Sequence, residues 1–530
     1  MIRNFRDYDG DGELRCDICV AGAGAAGVAL ALTLAERGHQ VILLEAGGYD
    51  YDEADQDPYV GVNIGHPYHE ISTTRLRFLG GSTNHWGGMC STLEPIDFEK
   101  RDWVPYSGWP INFNDLEPWY AAAHPWVELG NFDYDRESIS PEGTRYLPFD
   151  DRRLNHKMWH YSRPPTHFGI EHRARLEQTA ALDVLLHANL VDIEMDPSGS
   201  KVDAYHIATL EGKSAIVRAR NFVLALGGLE NPRLLLNAAS VQTDGIGNDR
   251  DLVGRFFMEH LNMDSGEVIS DQDDWSPSYD SLFRNDRQYR AFLTASREAQ
   301  AQRKILDSAI GLGPLFQARE RSIAYDSLHR IKMAWLRGRF PDDLSTHIAN
   351  LVTDAAGLKE ALEERFDPTV YLYTEGEQAP NPQSRVLLGD ERDKLGLRRI
   401  QLDWRLSEID KRSIRELASI IGEEFGRIKK GRVRLPIWLL SDRLSDDDPI
   451  LGGYHHMGTT RMSDDPSTGV VDADCRVFST DNLFIAGSSV FTTGGCANPT
   501  LTIVALALRL ADHLDRRPKE TAQAGWRYRR

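Results

Sequence analysis

The stretch that decides the fold is "CDICVAGAGAAGVALALTLAERGHQVILLEAGG", residues 16–48. Residues 16–21 read as a short buried strand, and "VALALTLAERG" as a helix closing at Gly38. "QVILLEA" follows as a second strand ending in Glu45, 18 residues beyond Gly27. Between strand and helix, Gly22, Gly24 and Gly27 supply G-x-G-x-x-G. The first glycine permits the tight turn, the second lets backbone approach a pyrophosphate, and the third allows close helix–strand packing. Ala25 and Ala26 stand at the helix amino terminus, whose partial positive charge attracts phosphate. Glu45, followed by Ala46, is placed to accept ribose hydroxyls. The spacing predicts a dinucleotide site; the acid favours NAD or FAD over NADP and leaves those two unseparated.

Cys16 and Cys19 have the C-x-x-C spacing of a redox pair, but they fall inside the predicted strand rather than at a helix start. Core packing is the better reading. With Cys90, Cys475 and Cys496 they are too scattered for a disulfide framework, which points to a reduced, cytoplasmic setting. The start, "MIRNFRDYDGDGELRCD", has no apolar export region, and no run is long and apolar enough to span a membrane. A formal charge of −19 argues against nucleic acid as a partner, because phosphate binding needs a basic surface. With 530 residues and 41% apolar composition, two or three domain-sized cores are expected.

Three further blocks carry chemistry. "RFLGGSTNHWGGMC" (77–90) is glycine-rich and contains Gly81, Ser82, Asn84, His85 and Trp86. "RNFVLALGGLENPRLLL" (220–236) reads as a strand, a glycine turn at Ala225 and Gly227, and a helix. The carboxyl-terminal run begins "GGYHHMGTTRM" (452–462) and continues through "NLFIAGSSVF" to "NPTLTIVALALRLADHL". Gly487 and Ser488 form a second strand-end turn, and Pro499 and Thr500 open a helix, proline suiting the first turn.

Together these blocks resemble the glucose–methanol–choline (GMC) family of FAD-dependent alcohol oxidoreductases, over roughly half the chain. The closing segment is similar to the pyranose oxidase and sugar-dehydrogenase branch. The resemblance implies an α/β fold: a doubly wound, Rossmann-like FAD-binding domain with a discontinuous α+β substrate domain on an antiparallel sheet. It assigns residues 1–96, 171–265 and 441–530 to the FAD domain, with Val191 as a further FAD contact. Residues 97–170 and 266–440 are assigned to the substrate side. It places the family's catalytic histidine on His455, not His456, and its partner on Asn498. It also puts His85 where pyranose oxidases bond histidine to the flavin. A covalent bond, a non-covalent contact and a structural histidine all stay open there.

A flavin that oxidises an alcohol needs a base near the hydroxyl, and neutral imidazole suits that step near neutral pH. His455 is therefore expected as general base and Asn498 as the group that orients substrate oxygen. A metal reading of the paired histidines is poor, since adjacent strand residues point apart and no ligand follows at zinc-like spacing. His456 is expected to face away. G-x-S-x-G is absent, which removes the usual nucleophilic serine.

The implied activity is oxidation of a CH–OH group of a sugar, glycoside or amino-sugar, with O2, a quinone or a redox protein as electron acceptor. Non-sugar alcohols are the alternative substrates. A reductase fed by NAD(P)H would call for a second G-x-G-x-x-G, which does not appear, and a non-catalytic FAD-bound subunit would not need the histidine–asparagine pair. In the middle of the chain, 367–390 reads as two strands joined by Pro-Asn-Pro, and 400–428 as a strand and an amphipathic helix. Asn114-Asp115 suits the start of a helix through "LEPWY". Residues 284–340 hold 12 Lys/Arg against 5 Asp/Glu, an island of positive charge. Within it "LHRIKMAWLRGRF" suits either an oligomer arm or lid, or a membrane-surface helix.

Overall fold

The glycine turn sits at the carboxyl end of β1 (Glu13–Ala21), a strand whose last four residues are all buried. Burial on both faces is what a central parallel strand requires. α1 (Ala25–Glu36) follows, then β2 (Val41–Leu44), and the same sheet takes in β3 (Leu182–Leu186) and β4 (Ser214–Leu224). α2 (Gly227–Asn237) leaves β4, and far along the chain β5 (Leu483–Ile485) and α3 (Thr500–Arg516) return to the same layer. In this computed structural model the strand order runs Ile2–Asn4, β3, β2, β1, β4, with every neighbour parallel. β5 extends it in parallel along the carboxyl half of β4, while a 189–208 antiparallel pair covers the amino half. The register sets Ala21 beside Leu224 and Leu224 beside Ile485. Three strand ends therefore open at one place, where a doubly wound sheet binds its ligand.

The structure describes the whole chain except residues 11, 271–274, 314–323, 325–326, 329–330, 332–343, 365–369, 442 and 518–530. A second, nine-stranded sheet is antiparallel and includes His260–Ile269, Val370–Glu377, Ser308–Gly313, Arg287–Ala295 and Leu154–Tyr161. The helix Glu408–Arg427 buries Leu417, Ala418, Ile421 and Phe425 against it, with Ile414 packed by Leu261 and Met263, the 3.6-residue period of an amphipathic helix. Ser407 and Asp410 close its amino terminus as a capping box.

Three sequence expectations shift. The strands on either side of Pro-Asn-Pro form, but Val370–Glu377 and Arg385–Arg392 enter different sheets, so that turn is a crossover. The helix through "LEPWY" begins at Phe113, because Asn112 accepts the N–H groups of Asn114 and Asp115 and the Asp115 carboxylate returns to the Asn112 N–H. Pro499 caps α3 instead of lying inside its first turn. In the basic island, Arg297 pairs with Glu99 at 2.7 and 2.6 Å, and Arg303 with Glu416 at 2.9 Å. These cations tie the island to its neighbours. Most of "LHRIKMAWLRGRF" (328–340) lies outside the described residues. Among the described residues no helix is long and apolar enough to cross a membrane.

Candidate active site

One cavity of about 370 Å³ runs from the glycine turn to the histidine pair. At its first end the three glycines have separate steric roles. A Cβ on Gly22 would lie 2.5 Å from the Ala225 carbonyl oxygen, and one on Gly27 1.8 Å from that of Gly22. A Cβ on Gly24 would meet nothing within 4 Å. The first two therefore lock strand to helix, and the third keeps the space in front of α1 clear. No side chain caps α1, so its first N–H groups are left for a ligand. This cradle fits the pyrophosphate of FAD.

Glu45 is buried in the cavity wall and anchored, accepting the Ala23 N–H at 3.0 Å and the Gly47 N–H at 3.0 Å. Burial raises its pKa, against the lowering effect of those N–H groups. Ala25, Ala26, Ala46, Ala225 and Gly227 line the same wall, as do Gly487, Ser488, Pro499 and Thr500. Sequence reasoning missed Arg75 and Tyr59, which also line it. The Arg75 guanidinium stacks 3.9 Å from the Tyr59 ring centre and reaches Glu230 at 3.3 Å.

The 77–90 loop contributes Gly81, Ser82, His85 and Trp86 to the lining. Asn84 does not line it; its amide donates to the Leu79 and Gly81 carbonyls at 3.1 and 2.9 Å and shapes the turn. Gly27 also acts by packing alone. Val191 lies on the strand Asn189–Met195, which pairs with the antiparallel Val202–Ala208, outside the residues that line this cavity. His85 faces the cavity, its ring 6.2 Å from that of Tyr454 at 16°. Burial lowers its pKa and so favours neutral imidazole.

At the far end the cavity meets the antiparallel sheet. His455 and Asn498 both line it, with the Asn498 Nδ2 3.5 Å from the His455 Nε2. The Trp159 indole N–H donates to the Asn498 Oδ1 at 2.9 Å, which fixes the amide orientation and turns Nδ2 toward the histidine and toward Glu375, also at 3.5 Å. Glu259 clamps the loop from behind: one carboxylate oxygen accepts the His455 N–H at 2.7 Å and the Gly453 N–H at 3.1 Å. Burial pushes its carboxyl up to about 7, while the Tyr68 hydroxyl bonded to its other oxygen works in the opposite direction. His455 itself is held well below its ordinary value, first by burial and then by His260 and His456. It is therefore a neutral imidazole at working pH.

His456 does not face away. It lines the cavity and bonds the Tyr68 hydroxyl at 3.0 Å. Strand alternation fails here because residues 453–456 are not a strand, and Tyr454 turns the backbone with φ +61°.

Residues 380–507 match the GMC oxidoreductase family and residues 17–236 the FAD dependent oxidoreductase family. The chain is an FAD-dependent oxidoreductase acting on alcohol groups, and its carboxyl-terminal region is similar to the GMC oxidoreductases. It is 24% identical to 2-methyl-1,2-propanediol dehydrogenase of Mycolicibacterium austroafricanum, over 94% of this chain and 95% of that one. It is 26% identical to 6'''-hydroxyparomomycin C oxidase of Streptomyces lividus, over 94% and 92%. Among solved structures, pyridoxine 4-oxidase from Mesorbium loti has the same fold, with TM-score 0.57 and 18% identity over 94% of this chain and 99% of that one. The two matched regions thus come together around one cavity.

Proposed function

We propose that the chain oxidises a CH–OH group of a sugar, glycoside or amino-sugar to the carbonyl, with His455 as general base. The observation that carries this reading is the His455 Nε2–Asn498 Nδ2 approach at 3.5 Å, in the wall of the cavity that also holds the glycine cradle. FAD held in the glycine cradle and beside Glu45 would supply the hydride acceptor for the alcohol carbon. His455 takes the hydroxyl proton at its neutral ring, and the Asn498 amide N–H holds the developing oxygen charge without competing for the proton. Asn498 is buried and His455 half-buried in the cavity wall, which limits screening of that interaction by water. The sugar assignment is supported by similarity to 6'''-hydroxyparomomycin C oxidase, and we propose O2, a quinone or a redox protein as the electron acceptor. A second reading, an aliphatic alcohol, is favoured by the similarity to a diol dehydrogenase.

Anaerobic mixing of the holoenzyme with sugars, glycosides, aminoglycosides and diols tests both. Bleaching of the flavin by a sugar or aminoglycoside supports the first reading, and bleaching by diols alone supports the second. The His455→Ala variant should reduce its flavin about 10²–10⁴-fold more slowly. An unchanged rate would remove His455 as the base.

A further inference from the structure

The proposed base has a partner that no motif marks. His260 opens the strand His260–Ile269 and is fully buried. Its ring stands nearly perpendicular to that of His455, at 83° with centres 5.0 Å apart, and the two Nδ1 atoms are 2.9 Å from each other. Two ring nitrogens facing across a hydrogen bond need one proton between them, so one donates and the other accepts.

The other nitrogen of His260 decides which. His260 Nε2 lies 2.8 Å from the Gly495 carbonyl oxygen and 3.4 Å from that of Gly494. A carbonyl oxygen only accepts, so this nitrogen carries hydrogen. Burial holds His260 at a pKa of about 4, so at neutral pH it has a single N–H. Its Nδ1 is therefore bare and must accept from the Nδ1–H of His455. That leaves His455 Nε2 without hydrogen, and this is the atom that approaches Asn498.

The carbonyls are set by glycine. Gly495 has φ +54°, and a Cβ there would lie 2.6 Å from Asp97 Oδ2. A Cβ on Gly494 would come within 3.0 Å of the Met457 terminal methyl carbon. The loop that delivers Asn498 also fixes the proton on His260.

We propose that His260 is a positioning residue that locks His455 in the Nδ1–H tautomer and so presents a bare Nε2 to the substrate hydroxyl. This rests on the reading of His455 as the base. In the step it supports, the substrate O–H bond breaks and an Nε2–H bond forms on His455, while His455 keeps its Nδ1–H, still donated to the Nδ1 of His260. The titratable groups around the pair are His456 on the same loop, Glu259 beside His260, and Glu375 across Asn498, with Lys157 and Glu377 acting at longer range. None of them bonds either Nδ1.

The test is nitrogen NMR of ¹⁵N-histidine-labelled holoenzyme, with His455 assigned by its loss in His455→Asn. The expected spectrum shows His455 Nδ1 protonated and Nε2 not; a protonated Nε2 in the wild type overturns the proposal even if no variant folds. His260→Asn keeps an acceptor near the Nδ1 position and should keep that tautomer, whereas His260→Leu should mix the two. With the best alcohol of the panel above, His260→Leu should slow flavin reduction about 100-fold and His260→Asn no more than about threefold. Equal loss in both variants makes His260 structural only. The expected tautomer together with a normal rate in His455→Ala would overturn the base reading and leave the tautomer lock without a catalytic role.

Discussion

At the scale of single residues, the site is a set of buried groups with displaced pKa values. Burial pushes the Glu375 carboxyl up to about 7, against lowering by Tyr373 and Asn498. It therefore gains its charge as pH rises through about 7. That negative charge, one amide away from His455, favours a protonated imidazole and makes proton abstraction easier. Flavin reduction followed against pH should rise through about pH 7 in the wild type and lose that rise in Glu375→Gln. Should the inflection survive, Glu259, also raised to about 7, becomes the group to test. His455 is depressed, so its own acid limb should fall below its ordinary value of 6.5. Little of this was legible beforehand. His455 and Asn498 came from the resemblance, but Glu259 and His260, at the start of one strand, and Glu375, on another, belong to no motif and come from distant segments. The available signal was polar residues in otherwise apolar strands, "MEHLNMD" (258–264) and "YLYTEGE" (371–377). In the second, Glu375 and Glu377 share one face at i and i+2.

Among the elements, the strand–turn–helix of β1 and α1 was readable because its constraints are local. Contact between Gly22 and Gly27 needs no knowledge of the rest of the molecule. The same geometry separates two alanine substitutions that look alike in sequence. Gly27→Ala puts a methyl 1.8 Å from a backbone oxygen and should fail to fold stably. Gly24→Ala meets no protein atom within 4 Å, and its φ of −82° suits any residue. Apoprotein stability should then change by about 1 kcal/mol or less, while FAD retention on gel filtration drops. Full FAD retention in Gly24→Ala would show that the phosphates lie elsewhere. What the sequence could not supply was the partner of each strand. The Pro-Asn-Pro turn looked like a link between neighbours, yet it joins two sheets. Sheet membership depends on long-range pairing, which alternation along one strand does not encode.

Taken as a whole, the molecule is held together by distant pairs. Arg101, outside the sheets, makes a double hydrogen bond to Glu377 at 2.8 and 2.6 Å, and both side chains are almost fully buried. Glu377 also accepts the Asp307 N–H at 2.8 Å. Arg101→Met would leave that carboxylate buried without its cation and should cost about 3–5 kcal/mol. Urea unfolding would show the loss; a change under about 1 kcal/mol would mean that the pair is offset elsewhere. A different consequence follows from β5 and α3. They complete the edge of β4 and pack α3 against α1, yet they come from residues 483–516. A nascent chain leaving the ribosome amino terminus first makes β1, α1 and β4 long before their last neighbours exist. Until then β4 has an unpaired edge, and Gly487, Ser488, Pro499 and Thr500 are missing from the cofactor wall. A complete cofactor wall therefore has to wait for residues 483–516, and until they arrive the carboxyl half of β4 presents an open edge to other chains.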